Sequence, residues 1–154
     1  MKRARDGYAP IHKACDQGRI ACLRILLDHG VDANVRTADE IGHTPAIMCC
    51  ITGHVKCLAL LLDRGADPGL ADRNDVTPAH YACLAGQLKC LQLLIARNAN
   101  FNARSGNGFT PLDIARSCGF PECVELLLEN SAIGRRIEDL PPRTEADKVR
   151  SCRQ

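Results

Sequence analysis

The stretch Thr77-Pro78-Ala79-His80-Tyr81-Ala82-Cys83-Leu84-Ala85-Gly86-Gln87-Leu88-Lys89-Cys90-Leu91-Gln92-Leu93-Leu94 decides the fold, because its framework recurs along the chain. Pro10, Pro45, Pro78 and Pro111 stand 35, 33 and 33 residues apart. Eight residues after each proline comes a glycine: Gly18, Gly53, Gly86 and Gly119. Further on, each period has an aliphatic pair: Leu26-Leu27, Leu61-Leu62, Leu94-Ile95 and Leu127-Leu128. A turn residue closes the unit at Gly30, Gly65, Asn98 and Ser131. A fixed period of this kind marks stacked repeats.

Each column has a physical reason. Thr44, Thr77 and Thr110 precede their prolines. Threonine caps a helix, and proline at the first helical position gives up an N–H that has no helical partner anyway. A short helix over the next seven residues is expected. The glycine then stops it, because it enters the left-handed region without penalty. Second helices are expected near 20–29, 55–64, 88–97 and 121–130, where Leu and Ile recur at helical spacing. Ala9 breaks the threonine column, which costs the first helix about 1 kcal/mol.

Thr77-Pro78-Ala79-His80-Tyr81-Ala82, together with Leu61-Leu62-Asp63-Arg64-Gly65-Ala66-Asp67, resembles the ankyrin repeat. The 33-residue period is the family's own. The resemblance implies an all-α solenoid of stacked helix pairs with short β-hairpin fingers, each repeat burying the open face of the next. It covers residues 6–132 as four repeats, about 6–36, 37–71, 72–104 and 105–132. Residues 1–5 form a basic extension and 133–154 a polar tail with Pro141-Pro142 and a capped helical turn at Thr144–Asp147. The longer first period puts two extra residues into the finger within Arg36–Ile41. Lys13, Asp16, Gln17 and Arg19 suit repeat 1 to a solvent-facing end.

Composition narrows the function. The 154 residues carry a net charge of +2, with 45% hydrophobic residues and no Trp. The positive excess sits on the two ends, so no basic stripe points to nucleic acid. There is no apolar run long enough to span a membrane and no leader-like start, so a cytoplasmic or nuclear location is expected. Ten cysteines occur without a single CxxC pair. Cys22, Cys57, Cys90 and Cys123 share one register in the second helices, and Cys15, Cys50 and Cys83 share another in the first. They read as one packed column of small apolar residues. A ladder for metal or disulfides is the competing reading. Cys118 and Cys152 are the expected exposed thiols. The histidines His12, His29, His43, His54 and His80 lack ligand spacing, and His12 and His80 take the helix-capping position. No metal, no cofactor and no catalysis are expected: phosphate loop, nucleophile elbow and zinc motif are all missing.

A non-enzymatic module that binds a partner protein through its concave face and fingers is therefore expected, working as a monomer. A regulatory or inhibitory subunit of an enzyme, or a substrate adaptor of a ubiquitin ligase, are the alternatives. The resemblance puts three columns on or near the concave side. Tyr8, His43, Val76 and Phe109 stand on the fingers. Lys13, Met48, Tyr81 and Ile114 form the second column, and Asp16, Ile51, Leu84 and Ser117 the third. Met48, Ile51, Val76, Tyr81, Leu84 and Phe109 form a candidate apolar patch flanked by Arg73 and Arg104. Two readings compete: a partner surface, or packing between repeats. Leu26, Asp32 and Asn34 match the pattern that asparaginyl hydroxylases use in the family, which makes Asn34 a candidate modification site; a turn-forming asparagine is the other reading.

Overall fold

The computed structural model describes residues 7–134, with side chains through 131. Eight helices follow in order: α1 (Pro10–Asp16), α2 (Ile20–Asp28), α3 (Pro45–Thr52), α4 (Val55–Asp63), α5 (Pro78–Ala85), α6 (Leu88–Ala96), α7 (Pro111–Cys118) and α8 (Pro121–Gly134). They pair as α1/α2, α3/α4, α5/α6 and α7/α8. The first helices pack side by side in one row and the second helices in another.

The expected caps form. Thr44, Thr77 and Thr110 accept N–H bonds from Ile47, His80 and Asp113 at 3.2, 3.4 and 3.2 Å. Ala9 has no oxygen to offer; its own N–H instead donates to His12 Nδ1 at 3.0 Å. Gly53, Gly86 and Gly119 cap α3, α5 and α7 in the left-handed conformation.

The glycines have a second role. A Cβ on Gly18 would meet the His54 ring at 2.6 Å, one on Gly53 the Gln87 amide at 2.6 Å, and one on Gly86 the Phe120 ring at 2.5 Å. In each case the residue that follows the next repeat's glycine lies over the glycine before it. Glycine is thus required for close approach as well as for its backbone angle.

Leu23, Leu58 and Leu91 are fully buried in the second helices, and Leu61, Leu94 and Leu127 are buried one turn further on. Each contributes about 1.5–3 kcal/mol by leaving water. Arg64 pairs with Asp28 at 2.5 Å and Arg97 with Asp63 at 2.7 Å, joining successive repeats at the surface. Exposed pairs of this kind contribute little, about 0–1 kcal/mol.

Two expectations need correction. Among the described residues no β-strand forms. The fingers are turns, each closed by one backbone bond: Thr37 N–H to His43 C=O at 2.9 Å, Asp72 to Val76 at 3.0 Å and Ser105 to Phe109 at 2.9 Å. Nor are the second-helix cysteines one packed column. Cys57, Cys90 and Cys123 are buried, but Cys22 is exposed. The register faces the preceding repeat, and no described repeat lies on that side of α2. Ile25, on the same helix, is 58% exposed. Cys118 is half-buried rather than open. Lys2, Arg3, Arg5, Cys152 and the Thr144–Asp147 turn lie outside the described residues.

Candidate partner-binding surface

The fingers are held by a device that repeats. Thr37, Asp72 and Ser105 begin them. Each side-chain oxygen accepts the N–H of the residue that also closes the turn: His43 at 2.8 Å, Val76 at 3.1 Å and Phe109 at 3.3 Å. Asp72 also accepts from Asn74 N–H at 2.8 Å. Neighbouring fingers are joined by one backbone bond each: Ala38 N–H to Gly7 C=O, Arg73 to Ile41 and Gly106 to Asn74. The two extra residues fall at the tip of the 37–43 finger. Asp39 braces it, accepting from Thr37 Oγ1 at 2.6 Å and Gly42 N–H at 2.8 Å. These two bonds hold the Asp39 carboxyl below its ordinary range.

Fingers and helices are tied together at one point. Asp72 is 3% exposed, and its second oxygen accepts from Tyr81 O–H at 2.6 Å. Three bonds therefore satisfy a buried carboxylate, which would otherwise be costly. Tyr81 gives its only proton to Asp72, so its oxygen accepts from His43 Nε2–H at 3.2 Å. The His43 and Tyr81 rings meet edge to face, 5.4 Å apart. Burial, and then Asp72, push the Tyr81 phenol well above its ordinary range. His80 makes a parallel link. Its Nδ1 accepts from Thr77 N–H at 3.0 Å, so Nε2–H donates to Phe109 C=O at 2.7 Å in the next repeat. Burial holds its imidazole below the ordinary value.

The predicted site residues separate into three groups. Ile51 on α3 and Leu84 on α5 are 37% and 49% exposed. They share a register on adjacent helices, with no side chain of the stack covering them. Val76, Tyr81 and Phe109 are half-buried. Arg73 and Arg104 are exposed, and both guanidinium groups are spent on backbone carbonyls: Arg73 on Asp39, Arg104 on Gly108 at 3.1 Å. Met48 is in the core at 4% exposure, because its position on α3 is enclosed between neighbouring first helices. It does not share in an exposed patch.

Asn34 does more than turn the chain. Its own N–H donates to Asp32 at 2.9 Å. Its side chain accepts from Asp67 N–H at 2.7 Å and donates to Gly65 C=O at 3.3 Å, so it bridges to the next repeat. Sequence reasoning missed this bridge and the Asp72–Tyr81–His43 chain. The only signal for the latter is the Thr37/Asp72/Ser105 column, which the two-residue insertion moves out of register.

The comparison with known families now has a geometry to meet. A family model described as ankyrin repeats (3 copies) matches residues 1–72 and again 65–138. The chain belongs to the ankyrin-repeat family. No curated protein matches the chain. The paired helices, the Thr-Pro caps and the glycine ends are the family's expected features, and the stack is an ankyrin-repeat stack. Among the described residues, no helix is long and apolar enough to cross a membrane. Ankyrin repeats imply a protein–protein interaction module.

Proposed function

We propose that this ankyrin-repeat stack is a non-enzymatic adaptor that holds a partner protein on the first-helix row, with the finger bases as one wall. The carrying observation is Ile51 beside Leu84: two large apolar side chains left in water at one register of adjacent helices. Neighbouring apolar groups on an otherwise well-packed stack mark a contact surface. Val76, Tyr81 and Phe109 border it, and Arg73 and Arg104 stand at the finger tips. Tyr81 is positioned by Asp72 and His43, so this border is preorganised, which lowers the cost of binding. The adaptor works as a single copy in the cytoplasm or nucleus, without cofactor, metal or nucleic acid.

The test is a double variant, Ile51→Asp with Leu84→Asp. Both side chains already face water, so the melting temperature should hold. Capture of the partner from cell extract, identified by comparison with wild type, should weaken at least tenfold, or about 1.4 kcal/mol. A folded double variant that captures the same partners with unchanged affinity refutes the surface.

A further inference from the structure

The cysteines of the first helices do more than fill space. Cys49 and Cys50 are consecutive on α3, so they point to different neighbours. Cys49 donates its S–H to Cys15 on α1, and Cys50 donates to Cys90 on α6. Cys90 in turn donates to the Cys49 carbonyl at 3.8 Å, which fixes its thiol beside the Cys49-Cys50 pair. Two thiol pairs therefore radiate from one helix, one into repeat 1 and one into repeat 3. All four cysteines are buried and reduced.

We propose that Cys15–Cys49 and Cys50–Cys90 form a reversible redox clamp, closed by peroxide, that fastens repeats 1, 2 and 3 together through α3. Each bond forms in two steps. One sulfur, as thiolate, attacks the peroxide O–O bond; it becomes a sulfenic acid, and the peroxide's second oxygen leaves as water. The partner thiol then attacks the sulfenic sulfur, forming the S–S bond, and its proton leaves with the hydroxyl as a second water. Each disulfide thus consumes one peroxide and releases two waters. A dithiol reductant reverses it by exchange.

The fold sets the order. Hydrogen bonding and burial keep Cys49 and Cys50 as neutral thiols, and a thiol reacts far more slowly than a thiolate. The closed stack is therefore protected, and oxidation passes through transient opening. Repeat 1 opens most easily. It has a described neighbour on one side only, its first helix has no side-chain cap, and Ile25 and Cys22 stand exposed on its outer helix. Cys15–Cys49 closes first and holds the end repeat down; Cys50–Cys90 follows.

The experiment treats the reduced full chain with hydrogen peroxide, stops the reaction with acid at intervals, alkylates free thiols in denaturant and maps peptides without reduction. The clamp predicts Cys15–Cys49 peptides first, Cys50–Cys90 peptides later, and no other intrachain pair at comparable yield. The oxidised protein should melt about 5 °C or more above the reduced one, and a dithiol should restore the lower value. Cys15→Ala, checked for helical circular dichroism before oxidation, should lose the first bond and keep the second. Three results overturn the proposal: the four cysteines remaining fully alkylatable while Cys22 is oxidised, pairing scattered across all the cysteines, or cross-links found only between chains.

Discussion

Substituting the repeat glycines by alanine separates two effects that the sequence superimposes. Gly86 has φ of 69°, and an added Cβ would lie 2.5–2.8 Å from three atoms of the Phe120 ring. Gly65 and Gly119 have φ of 92° and 77°, with nothing within 4 Å of an added Cβ. An L-residue in the left-handed region costs about 1–2 kcal/mol. Forcing a packed ring aside adds about 1–3 kcal/mol. Gly65→Ala and Gly119→Ala should therefore cost about 1–2 kcal/mol, and Gly86→Ala about 2–5 kcal/mol. The ring contribution should vanish in a Phe120→Ala background, so the double-mutant cycle should return a coupling of about 1–3 kcal/mol. The assay is urea unfolding followed by circular dichroism, with the slope checked for each variant, because a repeat stack can lose its all-or-none transition. If Gly86→Ala costs no more than Gly65→Ala, or if removing the Phe120 ring leaves its cost unchanged, close approach is not why glycine stands there.

Three further outcomes are expected. Cys57→Ser and Cys90→Ser should destabilise by about 1–3 kcal/mol, since each buries a hydroxyl, while Cys22→Ser, in the same register but exposed, should stay within about 0.5 kcal/mol of wild type; chemical denaturation of the three variants decides it. His80 carries the pH dependence. Its folded value lies below the ordinary imidazole value of about 6.5, so the unfolded chain binds more protons in that window; its contribution is complete above about pH 6.5 and is lost as pH falls towards the folded value. Denaturation midpoints measured down through this range should fall less steeply for His80→Asn, and an unchanged slope would contradict the assignment. Asn34, if hydroxylated, should yield an Asp32–Asn34 peptide heavier by one oxygen atom that disappears with a 2-oxoglutarate-competitive inhibitor, and its absence from cells with active hydroxylase would leave Asn34 only its bridge to Gly65 and Asp67.

The helix pairs were legible because they rest on local chemistry. Threonine before proline and glycine eight residues later act within one repeat, and every described first helix begins at its proline. What lay hidden depends on neighbours. Cys22 shares its register with Cys57, Cys90 and Cys123, and the register is right; only the missing covering repeat makes Cys22 exposed. Met48 and Tyr81 likewise share a register, yet Met48 is enclosed while Tyr81 is half-buried. The residues that cover the glycines are His54, Gln87 and Phe120, three side chains with no common chemistry, so no pattern in the sequence announces a contact that geometry makes three times.

The Asp72–Tyr81–His43 chain shows why the candidate surface should be tested at Ile51 and Leu84 rather than at its aromatic border. Replacing Tyr81 by alanine would remove more than a contact ring. It would take the donor from a buried carboxylate and the acceptor from His43 Nε2, whose ring already has a buried Nδ1 without a partner among the described residues. An unpaired buried polar group costs about 1–3 kcal/mol, and here the loss falls on Asp72, which also holds the turn at Asn74 and Val76. Tyr81→Ala should therefore lower the melting temperature and loosen the 72–76 finger. Tyr81→Phe together with Asp72→Asn isolates the hydrogen bond, since it keeps the ring and exchanges the buried charge for an amide. If Tyr81→Ala is as stable as wild type, the chain is not structural, and Tyr81 becomes a contact residue in its own right.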